Sequence, residues 1–87
     1  MIHEATIPHF GKDWNRLAKE LGDLRYDELA DFLHALSDKI NLDGDQDAAR
    51  QRVKLARELH TAAQGLKESS AAIQRAWIIC EPFMNGQ

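Results

Sequence analysis

The sequence predicts an all-α fold, and three observations support this prediction. Valine occurs only once, and the 87 residues include only five glycines and two prolines. Because β-branched residues favour strands while glycine and proline interrupt helices, this composition favours helices. The apolar residues also recur at the three- and four-residue spacing of a helix instead of alternating. We therefore expect one domain, residues 1–87, built as an antiparallel bundle of three or four helices.

The first helix is predicted over about residues 9–21. Its apolar residues fall on a single helical stripe, namely Phe10, Trp14, Leu17, Leu21 and Leu24. A helix with one apolar stripe needs only one neighbour. Gly22 follows as a typical C-terminal stop.

The second helix is predicted over about residues 26–41. Asp27 and Glu28 lie in its first turn, where the helix dipole favours acidic side chains. Its apolar face is wider than that of the first helix and consists of Tyr26, Leu29, Phe32, Leu33, Leu36 and Ile40. We therefore expect this helix to contact two neighbours. The segment 41–45, Asn-Leu-Asp-Gly-Asp, predicts a loop after it.

The third helix is predicted over about residues 46–65, with Asp45 or Asp47 as its cap. Two alternatives are open beyond Gly65. The helix ends there and a fourth one follows over about residues 69–81, or it continues without a break. In either case Pro82 is expected to end the last helix.

An unbroken apolar run, residues 76–80, lies near the C-terminus. Consecutive helical residues point about 100° apart, so they cannot all face one internal neighbour. We expect at least one of Trp77, Ile78 and Ile79 to be exposed in an isolated subunit. The alternative is that the N-terminal segment with Ile2 and Ile7, or the tail with Phe83 and Met84, folds over them. The run predicts a homodimer, and the candidate interface residues are Ile73, Trp77, Ile78 and Ile79.

Two charged stripes are candidate docking surfaces. One is acidic, lies on the predicted second helix and consists of Asp27, Asp31, His34 and Asp38. The other is basic, is predicted on the third helix and consists of Arg50, Lys54 and Arg57. A basic stripe can follow phosphates, so a nucleic-acid-associated regulator is the alternative function. The formal net charge of −3 disfavours nucleic acid as the partner.

No pattern predicts a catalytic residue, a cofactor or a metal site. Asp43, Asp45 and Asp47 have the spacing of the first calcium ligands in an EF-hand. However, Ala48 and Lys54 then stand where that loop needs glycine and glutamate. Asp31 and His34 have the spacing found in di-iron bundles, but no second such pair occurs on another helix. We therefore do not expect an enzyme.

The remaining features favour the cytoplasm. Cys80 is the single cysteine, so no internal disulfide can form. The first residues lack the pattern of a secretory signal, and no apolar stretch is long enough for a membrane span. The sequence thus predicts a small intracellular helical module for protein–protein interaction or regulation, whose partner is a protein or a second copy of itself.

Overall fold

The computed structural model describes residues 3–84, with Met84 described by its backbone alone. Within this range the chain forms three α-helices, α1 (Trp14–Gly22), α2 (Tyr26–Ala49) and α3 (Val53–Met84). Helices α2 and α3 pack closely against each other as an antiparallel hairpin. The all-α class is confirmed. The antiparallel bundle of three or four helices is not, because close packing is confined to this one pair among the described elements.

The molecule is elongated. Its Cα radius of gyration is 15.8 Å, whereas a compact domain of this length has about 12 Å. The principal extents are 53 × 28 × 14 Å, and the longest follows from the 32 residues of α3. No helix within the described range combines the length and apolarity needed to cross a bilayer.

Small residues occupy the interface between α2 and α3. They recur at every seventh position of each helix, as Ala30, Ser37 and Gly44 on α2 and as Ala56, Ala63 and Ser70 on α3. All six are buried. Such residues let two helix backbones approach closely, and the seven-residue repeat keeps them on one seam. Larger apolar residues lie beside this seam and are half-buried, namely Leu29, Leu33, Leu36 and Ile40 on α2 and Leu59, Leu66 and Ile73 on α3.

Two serine hydroxyls connect the helices across the seam. Ser37 Oγ donates to the backbone carbonyl of Ala63 at 2.8 Å, and Ser70 Oγ donates to that of Ala30 at 2.7 Å. Both hydrogen bonds are buried, and each contributes about 0.5–1.5 kcal/mol to stability. They also fix which residues of the two helices face each other.

The predicted loop at 41–45 is wrong, because α2 continues through it to Ala49. Gly44 is buried against α3, and a Cβ added there would lie 2.6 Å from the His60 ring. The glycine is therefore a site of close helix packing and not a helix stop. Asp43 stays compatible with a helix because Lys39, one turn earlier, donates to its carboxylate at 2.6 Å.

The helices turn instead at residues 50–52, so the third helix begins at Val53 and not near residue 46. Gln51 has φ +63°, the left-handed conformation that closes such turns. Arg52 Nη1 donates to Asp47 Oδ1 at 3.3 Å. Arg52 precedes α3 and is exposed.

Of the two alternatives beyond Gly65, the uninterrupted helix is the one observed. Gly65 is exposed, and nothing lies within 4 Å of a Cβ built on it. Helix packing on the opposite side of α3 compensates the cost of about 1 kcal/mol for a glycine in a helix. Pro82 lies inside α3, which extends to Met84. The prediction that Pro82 ends the last helix is therefore wrong. The proline removes one backbone donor, and α3 tolerates this loss in its last described turn.

Helix α1 begins at Trp14, later than predicted. His9 and Gly11 have φ +72° and +58°, and Ile7 pairs with Gly11 in an isolated bridge, so this segment is a turn. Asp13 caps the helix by accepting from the backbone N–H of Arg16 at 3.1 Å. No residue of α1 is fully buried, and Leu17 and Leu21 are half-buried.

Candidate interaction surface

The end of α3 presents the most exposed large apolar side chains of the hairpin. Phe83, Ile79 and Ile78 are 77%, 72% and 64% exposed, and Ile73 and Trp77 are half-buried. The expectation that at least one residue of this run is exposed is therefore confirmed. Whether an interface forms at the four predicted residues, Ile73, Trp77, Ile78 and Ile79, stays a prediction.

The position of the two isoleucines follows from the register of the hairpin. Because Ser70 contacts Ala30, the first turn of α2 lies beside the residues that follow Ser70. Residues near 80 thus extend beyond α2. On one side of this extension Arg25 stacks on Trp77, with its guanidinium carbon 5.3 Å from the ring centroid. Cys80 lines a groove together with residues 22–26.

Trp77 and Cys80 therefore face the connection between α1 and α2. Ile78 and Ile79 point away from it, because each residue turns the helix by about 100°. The apolar run is thus divided into a half-covered side and an exposed side.

The acidic stripe lies on an open side of α2, but its members have different surroundings. Arg25 donates twice to Asp27, from Nε at 2.7 Å and from Nη2 at 2.8 Å. This hydrogen bond from Arg25 lowers the pKa of the Asp27 carboxyl below its ordinary value of 3.8. His34 Nδ1 lies 3.3 Å from Asp38 Oδ2. Asp31 is exposed and makes no ion pair with any described residue.

The basic stripe is not continuous on one helix. Arg50 is the C-cap of α2, whereas Lys54 and Arg57 lie on α3. The prediction placed all three on the third helix and failed because the turn comes later than expected. All three side chains are exposed and form no ion pair within the described part of the chain.

The histidine and the cysteine of α3 lie far apart in the described part of the chain. His60 Nε2 lies 3.0 Å from Asp45 Oδ1. Cys80 lies twenty residues further along the same helix, about 30 Å away. Among the residues described, no three histidine, cysteine or acidic side chains come close enough to hold a metal ion.

A second row of small residues on α3 was not recognised in the sequence. It follows the same seven-residue repeat as the hairpin seam but lies on another side of the helix, at Ala62, Gly65, Ser69, Ala72 and Ala76. The first four are exposed, and Ala76 is half-buried. Ile79 continues the row toward the C-terminus. The seven-residue spacing of these small residues was the signal in the sequence that could have revealed the row. The large apolar residues nearby dominate the apolar pattern of the helix and hide it.

Comparison with known proteins gives no match, whether with family models, curated proteins or solved structures.

Proposed function

We propose that this chain is a small helical protein–protein interaction module, and that it self-associates as a homodimer through the exposed end of α3. The observation that carries the proposal is the exposure of Ile78 and Ile79. Burying an isoleucine stabilises by roughly 1.5–3 kcal/mol, so a symmetric interface that covers such residues twice gains several kcal/mol. The proposal assigns no catalytic, cofactor-binding or metal-ligating residue.

The surface area of the chain supports this proposal. Its accessible surface is 6727 Å², whereas a compact monomer of 9.9 kDa exposes about 5,200 Å². The difference, about 1,500 Å², is larger than the roughly 800 Å² that each partner buries in a standard interface. The elongated shape of the subunit thus leaves enough surface for an interface of standard size. The free thiol of Cys80 suits a reducing compartment, and the proposal places the protein in the cytoplasm.

The test is the solution mass of the full chain at about 100 µM, a concentration that populates even a modest dimer. We expect light scattering to give twice the subunit mass. The double variant Ile78→Asp/Ile79→Asp should keep its helical circular dichroism and become monomeric. The matched control is Leu42→Asp on α2, whose side chain is 53% exposed, and it should remain dimeric. A monomeric wild type, or a double variant that still dimerises, would contradict the proposal.

The alternative is a nucleic-acid-associated regulator. It is favoured by the exposed charges of Arg50, Lys54 and Arg57 near the hairpin turn, which form no ion pair with any described residue. Retention on heparin at low salt, lost in Lys54→Glu/Arg57→Glu, would support it, because phosphate binding depends on such charges. Passage through the column without retention would contradict it.

A further inference from the structure

We infer that the partner on this surface is a second copy of the chain, with the two α3 helices antiparallel and Ile79 of each copy packed on Ala62 of the other. The inference rests on the proposed function and specifies its geometry. It begins from Ile79, which is 72% exposed and lies in the same row as the exposed small residues of α3. A large side chain at one end of this row and a small one at the other are complementary in an antiparallel pair.

The register follows from the seven-residue repeat. When two antiparallel helices pack along such a row, residues face each other in pairs about a central two-fold axis. Placing Ile79 on Ala62 of the second copy also places Ala76 on Gly65 and Ala72 on Ser69. Each of the two central pairs combines small residues, as in the seam between α2 and α3. The helix backbones can therefore approach closely.

Charge selects this register over its neighbours. Glu68 and Arg75 flank the row on one side, both are exposed, and neither forms an ion pair within the described residues. In the proposed register Glu68 of each copy faces Arg75 of the other. A shift of one heptad brings Glu68 opposite Glu68, or Arg75 opposite Arg75, and like charges in facing positions are unfavourable.

The opposite flank of the row is apolar. The same register brings Leu66 of one copy opposite Ile73 of the other. Both residues are half-buried in the hairpin, so their remaining exposed surface would be covered. Ile78 lies on a different side of α3 and stays outside this interface. The inference thus separates two neighbouring residues that the proposed function treats together.

The first experiment measures the dimer dissociation constant of single variants by sedimentation equilibrium. Ile79→Asp should abolish the dimer at about 100 µM, whereas Ile78→Asp should change the constant by less than about threefold. Ala72→Arg places a long charged side chain at the two-fold axis and should also give a monomer. Its matched control is Ala35→Arg, an exposed alanine on α2, which should remain dimeric. Circular dichroism checks that each variant is folded.

The second experiment exchanges the flanking charges. Glu68→Arg or Arg75→Glu alone should raise the dissociation constant about five- to tenfold, since each variant creates two like-charge contacts. The double exchange should restore it to within about twofold. This rescue does not depend on any change to the apolar row.

The outcomes separate the two proposals. A monomeric wild type overturns both. A dimer that is broken by the Ile78→Asp/Ile79→Asp pair, but survives Ala72→Arg or shows no rescue in the charge exchange, overturns this register and leaves self-association standing. A monomeric Ala72→Arg variant together with charge rescue supports the register.

Discussion

The contact between Gly44 and His60 predicts an energetic coupling between the two residues, and its size can be worked out from the structure. A methyl group at Gly44 would lie 2.6 Å from the His60 ring, while the next atom, the carbonyl oxygen of Ala56, would be 3.4 Å away. The ring must move, and His60 then loses its 3.0 Å contact with Asp45. Overpacking of a closed core costs about 1–3 kcal/mol. The cost here should lie at the low end, about 1 kcal/mol, because the atoms met are the far end of a histidine side chain that is 41% exposed.

A second effect opposes this cost. Replacing a helix-interior glycine by alanine stabilises a helix by about 0.8–1.0 kcal/mol. The two effects nearly cancel, so Gly44→Ala should leave the free energy of unfolding within about 1 kcal/mol of that of the wild type. In a His60→Ala background the obstacle is gone, and the same substitution should stabilise by about 1 kcal/mol.

Urea denaturation of the wild type, Gly44→Ala, His60→Ala and the double variant measures this coupling. All four are compared at one protein concentration at which they are monomeric. Gly65→Ala is the control glycine, because it meets nothing within 4 Å and should stabilise by about 1 kcal/mol. If Gly44→Ala stabilises the wild type as much as the His60→Ala variant, the histidine does not pack on the glycine and the reasoning is refuted.

Three further predictions concern the hairpin and α1. Ser70→Ala removes the buried donor to Ala30 and should lower the free energy of unfolding by about 1 kcal/mol; an unchanged denaturation midpoint would contradict the hydrogen bond. Arg25→Gln should raise the pKa of Asp27 toward 3.8, as followed by carboxyl carbon NMR. Since Arg25 lowers that pKa, the stability that ionised Asp27 contributes to the fold is fully present at neutral pH. It is lost as the pH falls through the pKa of Asp27 in the folded state. Leu17→Ala should cost about 1–2 kcal/mol, less than a fully buried leucine; equal stability in urea would show that α1 packs loosely.

The helical class could be read from the sequence because the large apolar residues carry it. Leu29, Leu33, Leu36 and Ile40 recur at helical spacing, and all four are half-buried on one side of α2. The exposure of part of the apolar run at 76–80 was also predictable, since consecutive residues cannot share one neighbour. Both inferences depend only on local geometry.

The length of α2 and the position of the hairpin turn could not be predicted in the same way. Gly44 in an aspartate-rich segment is typical of a loop, and only the position of His60 on α3 shows that it is a packing site. The turn at residues 50–52 contains neither glycine, asparagine nor proline, so no turn signal marked it. Local composition was misleading in both places because contacts between distant residues decide the structure.

The spacing of the seam residues has a consequence for the order of folding. Gly44 lies next to the turn. The hydrogen bond of Ser37 joins residues that are 26 apart in the sequence, and that of Ser70 joins residues that are 40 apart. Because the entropy cost of closing a loop grows with its length, we expect pairing to start at the turn and spread toward the opposite end. That end also carries the exposed isoleucines. Amide hydrogens there should therefore exchange fastest in an isolated subunit, and they should exchange more slowly when a partner covers this end of the hairpin.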